Sequence, residues 1–220
     1  MTHVLMPVKY DALKTLKAIR SFEANSHPAT LVVVIDNDAD IEDALGRCAH
    51  RREIVIKNTL TKGFWNSLNV ALEVLRIGRH EPIVYVGNDV TFEPNWHVYA
   101  LHQFYSSFGL EGLGLLSFYD GIHNGFNASH GMTTRAWLEI INDGESRFWP
   151  EYFHYFHDSE MTNRSKDLGR YVYCERARVV HEHDGTRYES PRDKQIKDRR
   201  DKEWARRGRR EAQAKLKALV

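Results

Sequence analysis

Acidic and imidazole side chains stand where apolar runs of this sequence end: Asp36 and Asp38 after LVVVI, Asp89 after IVYVGN, Asp158 and Glu160 beside an aromatic cluster, and His181 and His183 after RARVV. A hard divalent cation takes oxygen ligands, accepts an imidazole and bridges phosphate oxygens. Asp89 with His181 suits that task, and a carboxylate such as Asp158 suits proton abstraction from a poorly acidic hydroxyl. Each residue also has a plainer role open to it. In VGNDVTFEP, Asp89 fits an Asx-turn or helix cap; His181 fits a hydrogen-bonded histidine at a strand end; Asp158 fits an exposed helix carboxylate paired to Arg164. His154, His157, His181 and His183 invite a zinc site, but they lack a cysteine partner and a helical HxxxH pair. The turn GFNASHG brings Asn127 and His130 within reach of a donor or acceptor, or is simply a turn.

Other chemistries lose support from what is missing. The sequence has no GxxxxGK[ST] phosphate loop, no GxGxxG after a strand, no GxSxG elbow and no HExxH, which argues against an ATPase, a dinucleotide enzyme, an α/β-hydrolase and a zincin.

The elements that must position these residues follow from periodicity. Residues 3–8 form an apolar run containing Pro7, and Leu13, Leu16, Ile19 and Phe22 follow at helical spacing, so a strand and then a helix are expected. The β-branched run 31–35 predicts a strand buried on both faces, with Asp36 and Asp38 just past its end. A third strand is expected over 53–57. Over 64–77, Leu68, Ala71, Leu72 and Leu75 share one helical face. Residues 83–86 predict another buried strand, broken by Gly87, which delivers Asn88 and Asp89 at its carboxyl end. Helices are expected over about 95–108 and 134–142, with looser Gly-rich and aromatic sequence between, and a strand over 170–180 runs into His181. This β-α alternation predicts an open, mostly parallel sheet with helices on both faces, whose ligands bind outside the carboxyl ends of the strands.

At 220 residues and 42% apolar composition, one substantial core is expected. Cys48 and Cys174 stand far apart, suggesting neither a disulfide framework nor a thiolate metal site, and a reducing cytoplasm is the expected location. No apolar run approaches the roughly 20 residues of a membrane span. Net charge is +1, unevenly spread: residues 186–220 carry thirteen Lys and Arg against six Asp and Glu, and the rest carries 18 against 24. An acidic body disfavours nonspecific nucleic-acid binding, whereas the basic tail could supply phosphate contacts. From about Pro191 the tail is helical in pattern with few apolar residues beyond Trp204, Leu216 and Leu219, as in a solvated helix.

Taken in order, the segments resemble family 2 glycosyltransferases of GT-A fold over about residues 3–185. VLMPVKY resembles the opening strand with its Pro7, and VVVIDNDAD the Asp-rich strand end. NTLTKGFWNSLNVAL resembles the "nnGfxxaxNxal" segment through Gly63 and Asn69. VYVGNDVTFEPNW matches the metal-binding strand end at Asp89, with Asn88 where many relatives carry the first Asp of a DxD. EYFHYFHDSEMTNRSKDLG resembles "FFxYxEDxDLxxRxxxxG", with Asp158 at the catalytic base, Arg164 and Gly169 in place and His157 where a Glu is usual. ARVVHEHDG matches the "xVxH" strand end at His181. The resemblance implies a Rossmann-like GT-A domain over 1–185, with a nucleotide-sugar half (1–108) and an acceptor half (109–185), followed by a basic helical tail (186–220). It implies an inverting transfer from a nucleotide-sugar, a UDP-sugar foremost, to an acceptor hydroxyl. Asp89 and His181 would hold Mn²⁺ or Mg²⁺, Asp158 would be the base, Asp36 would meet the donor's base or ribose with Asp38 helping, and Pro7, Gly63, Asn69 and Asn88 would line the donor site. The acceptor could be a glycan, a protein or a hydroxylated DNA base, the last because of the basic tail; a degenerate, non-catalytic GT-A module that binds a partner is the remaining alternative.

Overall fold

The computed structural model describes residues 2–26, 28–47, 53–59, 62–152, 155–182 and 190–219. Cys48, Phe153, His154 and His183 lie outside them. The first half alternates, with every expected element in place and one further helix, α2, not expected from the sequence: β1 (His3–Val8), α1 (Ala12–Asn25), β2 (Thr30–Ile35), α2 (Ala39–Arg47), β3 (Ile54–Lys57), α3 (Phe64–Val74) and β4 (Ile83–Tyr85). β1 pairs in parallel with β2 on one side and with β4 on the other, and β2 pairs in parallel with β3. Pro7 sits in this central strand, yet the β1–β4 ladder ends at Leu5, so its missing N–H falls where β1 has a strand neighbour on one side only.

The second half holds more strands than periodicity reveals. β5 (Val90–Phe92), α4 (Trp96–Phe108), β6 (Leu115–Tyr119), β7 (Gly131–Thr133), α5 (Arg135–Ile141), α6 (His157–Asp167) and β8 (Tyr171–His181) complete one sheet of order β3-β2-β1-β4-β7-β6-β8-β5. β7 runs antiparallel to β4 and β6, and β5 antiparallel to β8. Six of the eight described strands therefore point one way, and the sheet is mostly parallel.

Side chains alternate between two cores, as a strand period of two requires. Val4, Met6, Val33 and Val84 face Ile19, Phe22, Trp96 and Phe104 of α1 and α4, whereas Leu5, Val32, Val34 and Tyr85 face Trp65, Leu72 and Trp137 of α3 and α5. Each fully buried aliphatic side chain contributes about 1.5–3 kcal/mol.

The expectation of a solvated tail is corrected. After Ser190, whose Oγ accepts from Asp193 N at 3.2 Å, α7 (Pro191–Glu203) begins with Pro at its first turn and passes through a π-helical segment (Trp204–Gly208) into α8 (Arg209–Leu219), a start that matches cap and proline preferences. Asp193, Arg200, Trp204, Gly208 and Ala212 are buried at spacings of four to seven residues, and Trp204 Nε1 donates to Asp167 at 2.9 Å. Two of those buried positions are charged, so an apolar count misses the docking stripe.

Candidate active site

Strand direction brings the first two residues together. β4 runs to its carboxyl end, the chain reverses through Gly87–Asp89, and β5 returns antiparallel to β8 with Val90 opposite His181. Asp89 thus stands beside the last residue of β8: its Oδ2 lies 3.1 Å from His181 Nε2, and its backbone oxygen accepts from Glu182 N at 2.7 Å. Gly87 permits the arrangement, because a Cβ there would lie 2.6 Å from Asp89 Oδ1. Burial pushes the Asp89 carboxyl up, but the hydrogen bond and charge of His181 outweigh it and hold the group down at about 2. The pair is a ready carboxylate and imidazole for a cation.

His130 stands against the same pair, its ring centroid 4.7 Å from that of His181. Gly87 N donates to its Nδ1 at 3.3 Å, which leaves the proton of the neutral ring on Nε2. That Nε2 is buried with no hydrogen-bond partner among the described residues. Burial first, then the charge of His181, drives the imidazole down to about 3.

A chain of polar contacts links this pair to α6. Asp158, half-buried near the start of α6, accepts from Asn127 Nδ2 at 2.6 Å and from Ser129 Oγ at 3.4 Å, both at Oδ2. Ser129 Oγ lies 3.3 Å from His123 Nδ1, which lies 2.7 Å from Asp120 Oδ2. Asp120 O in turn accepts from His181 N at 2.9 Å. The hydrogen bond to Asp120 raises the His123 imidazole, and the Asp120 carboxyl is held well below the ordinary carboxylate range, since bonds from the His123 side chain and the His123 and Ile122 backbones outweigh its burial. Arg164 pairs not with Asp158 but with Glu160, one turn back.

The residues expected at the donor lie at the carboxyl ends of β1 and β2. Asp36 is buried, accepts from Gly63 N at 3.0 Å, lies 3.6 Å from Lys9 Nζ, and its Oδ1 has no hydrogen-bond partner among the described residues. Gly63 precedes α3 with φ 106°, a backbone region nearly closed to other residues. Asp38 caps α2, accepting from Ile41 N at 3.1 Å through Oδ1 and from Tyr10 N at 3.0 Å through Oδ2. Asn88 donates to Tyr10 O at 3.1 Å and Thr15 Oγ1 at 2.9 Å. Asp38 and Asn88 therefore brace the turn at Tyr10 and Asp11 from two sides; both turn residues are left-handed, with φ 61° and 55°, a conformation that costs energy unless its surroundings fix it. Asn69 lies apart from that turn and clamps Phe148: its Nδ2 donates to Phe148 O at 2.8 Å and its Oδ1 accepts from Phe148 N at 2.9 Å.

Among solved structures, the chain is similar to a mannosyltransferase from Pyrobaculum calidifontis in complex with GDP-Man and Mn²⁺, with TM-score 0.63 and 15% identity over 82% of this chain. It is also similar to S. aureus TarS 1-349 in complex with UDP-GlcNAc, with TM-score 0.57 and 14% identity over 88% of this chain. The chain has the GT-A fold. It spans 56% and 60% of the lengths of those two proteins. No protein-family profile and no curated protein sequence matches it.

Within this GT-A chain, three positions of the polar chain, Asp120, His123 and Ser129, lack a sequence signal. They lie in a Gly-rich stretch without periodicity, and only the β6–β7 pairing brings it against α6 and the end of β8. Asn127 and His130 stand out in the sequence only as members of a turn. Among the described residues, no group of three or more His, Cys, Asp or Glu side chains is arranged to hold a metal by itself, and no helix is long and apolar enough to cross a membrane.

Proposed function

We propose that this chain is a nucleotide-sugar-dependent glycosyltransferase that uses a divalent cation and inverts the anomeric centre. One observation carries the reading: Asp89 and His181 meet at the carboxyl end of the sheet, and a continuous set of polar contacts joins them to Asp158.

The residues fit a cation that is shared with a donor. A carboxylate and an imidazole in contact make a two-point protein site, and Mg²⁺ and Mn²⁺ commonly complete their coordination with phosphate oxygens and water. The buried Nε2–H of His130, without a protein acceptor among the described residues, suits an anionic neighbour such as a diphosphate. When bound, the cation supplies Lewis-acid stabilisation of the charge that develops on the leaving diphosphate. Asp36, with an unpartnered buried oxygen, takes a hydrogen bond from the donor's base or ribose, and the braced Tyr10–Asp11 turn lies beside it. Pro7, Gly63, Asp38 and Asn88 shape that wall.

Asp158 acts on the acceptor. Asn127 and Ser129 both bond Oδ2 and hold the carboxylate's orientation, leaving Oδ1 to receive the proton of the acceptor hydroxyl as its oxygen attacks the anomeric carbon. Attack from the face opposite the leaving diphosphate inverts the centre. UDP-sugars are the first donors to test, and the cytoplasm is the proposed site of action.

Thermal denaturation with UDP or GDP, with and without Mn²⁺, tests the reading. Nucleotide at 100 times its Kd stabilises by about 2.7 kcal/mol, and we expect that gain only when metal is present. A donor panel scored for released nucleoside diphosphate then identifies the sugar. Stabilisation by no nucleotide under either condition, together with no release from any donor, refutes the proposal.

A further inference from the structure

The first helix of the tail, α7, reaches into the segment that carries Asp158. Arg200 of α7, only 1% exposed, lays its guanidinium over the Trp149 ring at 3.4 Å from the centroid and sets Nε 2.8 and 3.0 Å from the two carboxylate oxygens of Glu160. Glu160 is itself 1% exposed and shared: Arg164 Nη2 lies 2.5 Å from Oε1, and the Tyr152 hydroxyl donates to Oε2 at 2.5 Å. On the other side of Asp158, the fully buried Asp193 of α7 accepts from Tyr155 N at 3.0 Å. Residues 155 and 160 thus flank the carboxylate, and both are held by the tail.

The local sequence does little to fix this helix start by itself. Phe156 precedes α6 in a left-handed conformation, φ 70°, and provides no side-chain cap, although Ser, Thr, Asp or Asn would be the usual stabilising choice. A buried ion cluster is also a poor source of stability, because desolvation offsets much of the attraction; its distinctive property is that one geometry satisfies it and others do not.

We propose that α7 belongs to the transfer machinery, with Arg200 and Asp193 as positioning residues that set where Asp158 stands relative to the acceptor. The inference rests on Asp158 being the base. It assigns part of the basic tail an internal partner: the buried charge of Arg200 is spent on Glu160 and is unavailable to a phosphate backbone.

The test uses the full chain carrying Arg200→Met, Arg200→Lys, or the triple change Arg200→Met, Glu160→Met and Arg164→Met, each assayed well below its own Tm. Three quantities are read: kcat for transfer, KM for the donor, and amide hydrogen exchange over residues 155–162. In Arg200→Met we expect kcat to fall at least about tenfold with donor KM unchanged, and exchange over 155–162 to accelerate about tenfold while 31–35 stays as in the wild type. Lys keeps the charge but lacks the planar fork, so it recovers part of kcat. The triple variant removes the whole buried ion cluster, Arg164 included, and regains Tm without regaining kcat. A cluster that merely stabilised the fold would regain both, and that result overturns the proposal, as does a folded Arg200→Met with wild-type kcat and unchanged exchange. If Arg200→Met does not fold, Asp193→Ala tests the same positioning from residue 155 by the same readouts. An inactive wild-type protein would refute the transferase reading alone; the exchange measurement then decides the anchoring, and unchanged exchange in the variants defeats it.

Discussion

Asn69→Ala separates a structural clamp from a donor contact. Asn69 makes two hydrogen bonds to one residue, 2.8 Å to Phe148 O and 2.9 Å from Phe148 N. Phe148 is fully buried, and its ring packs against Trp65 and Tyr85 at centroid distances of 5.6 and 5.7 Å. Alanine removes both bonds, each worth about 0.5–1.5 kcal/mol net, and leaves a backbone donor and acceptor in partly buried surroundings that cost about 1–3 kcal/mol when unmatched. Water reaches part of this site, so a total of about 2–4 kcal/mol is expected. In a chain of this size that lowers Tm by roughly 5–15 °C. Scanning fluorimetry and urea titration measure the loss, and nucleotide binding in the presence of Mn²⁺, measured well below the variant's Tm, should keep the wild-type Kd. A Tm within about 2 °C of wild type combined with lost nucleotide binding would show that the clamp reasoning is wrong and that Asn69 touches the donor.

Asp158→Asn should lower kcat by about 10²–10⁴-fold with donor KM unchanged in steady-state assays; wild-type turnover would remove it as the base. Asp89→Ala should abolish metal-dependent nucleotide stabilisation in thermal shift, and full retention would dissociate it from the cation. Gly131→Ala should cost about 1–3 kcal/mol in urea unfolding, because its Cβ would lie 2.6 Å from Leu116 O and 2.9 Å from Tyr85 Oη; an unchanged midpoint would contradict the tight β6–β7–β4 contact. Burial lowers the imidazole of His97, and burial with the charges of Arg200 and Arg164 lowers that of His157 well below its ordinary value. The unfolded chain protonates both near pH 6.5 while the folded chain does not, so stability is lost as pH falls below about 6.5, by up to about 1.4 kcal/mol per pH unit for each histidine. Urea midpoints that stay flat from about pH 7.5 to about pH 5 would refute this.

The parallel half of the fold was legible because β1, β2 and β4 lie in continuous apolar runs and α1 and α3 carry apolar residues at helical spacing, although Leu13 of the α1 set is exposed. β5 and β7 have three residues each, too few to display a period, and the α6 stripe includes buried Glu160, Thr162, Arg164 and Ser165, whose types signal surface. At the site, Asp89 and His181 could be found because each ends a readable strand. Asp120, His123 and Ser129 could not, since their partners are set by the crossing of β6, β7 and α6 rather than by neighbours in sequence. For Asn69 and Asp38, the residue types were visible, but whether a side-chain amide or carboxylate grips a ligand or a backbone is decided only by what folds against it.

The eleven-residue strand β8 lies beside β6 with Tyr171–Cys174 and beside β5 with Val179–His181, and its register shifts between those stretches. A protein cut after residue 108 would therefore carry β5 without its strand neighbour β8 and β4 with an open edge toward the missing β7. Neither fragment of such a cut should fold alone, whereas the two mixed together could rebuild the sheet, which makes this loop a natural place to engineer a split reporter whose signal depends on reassembly.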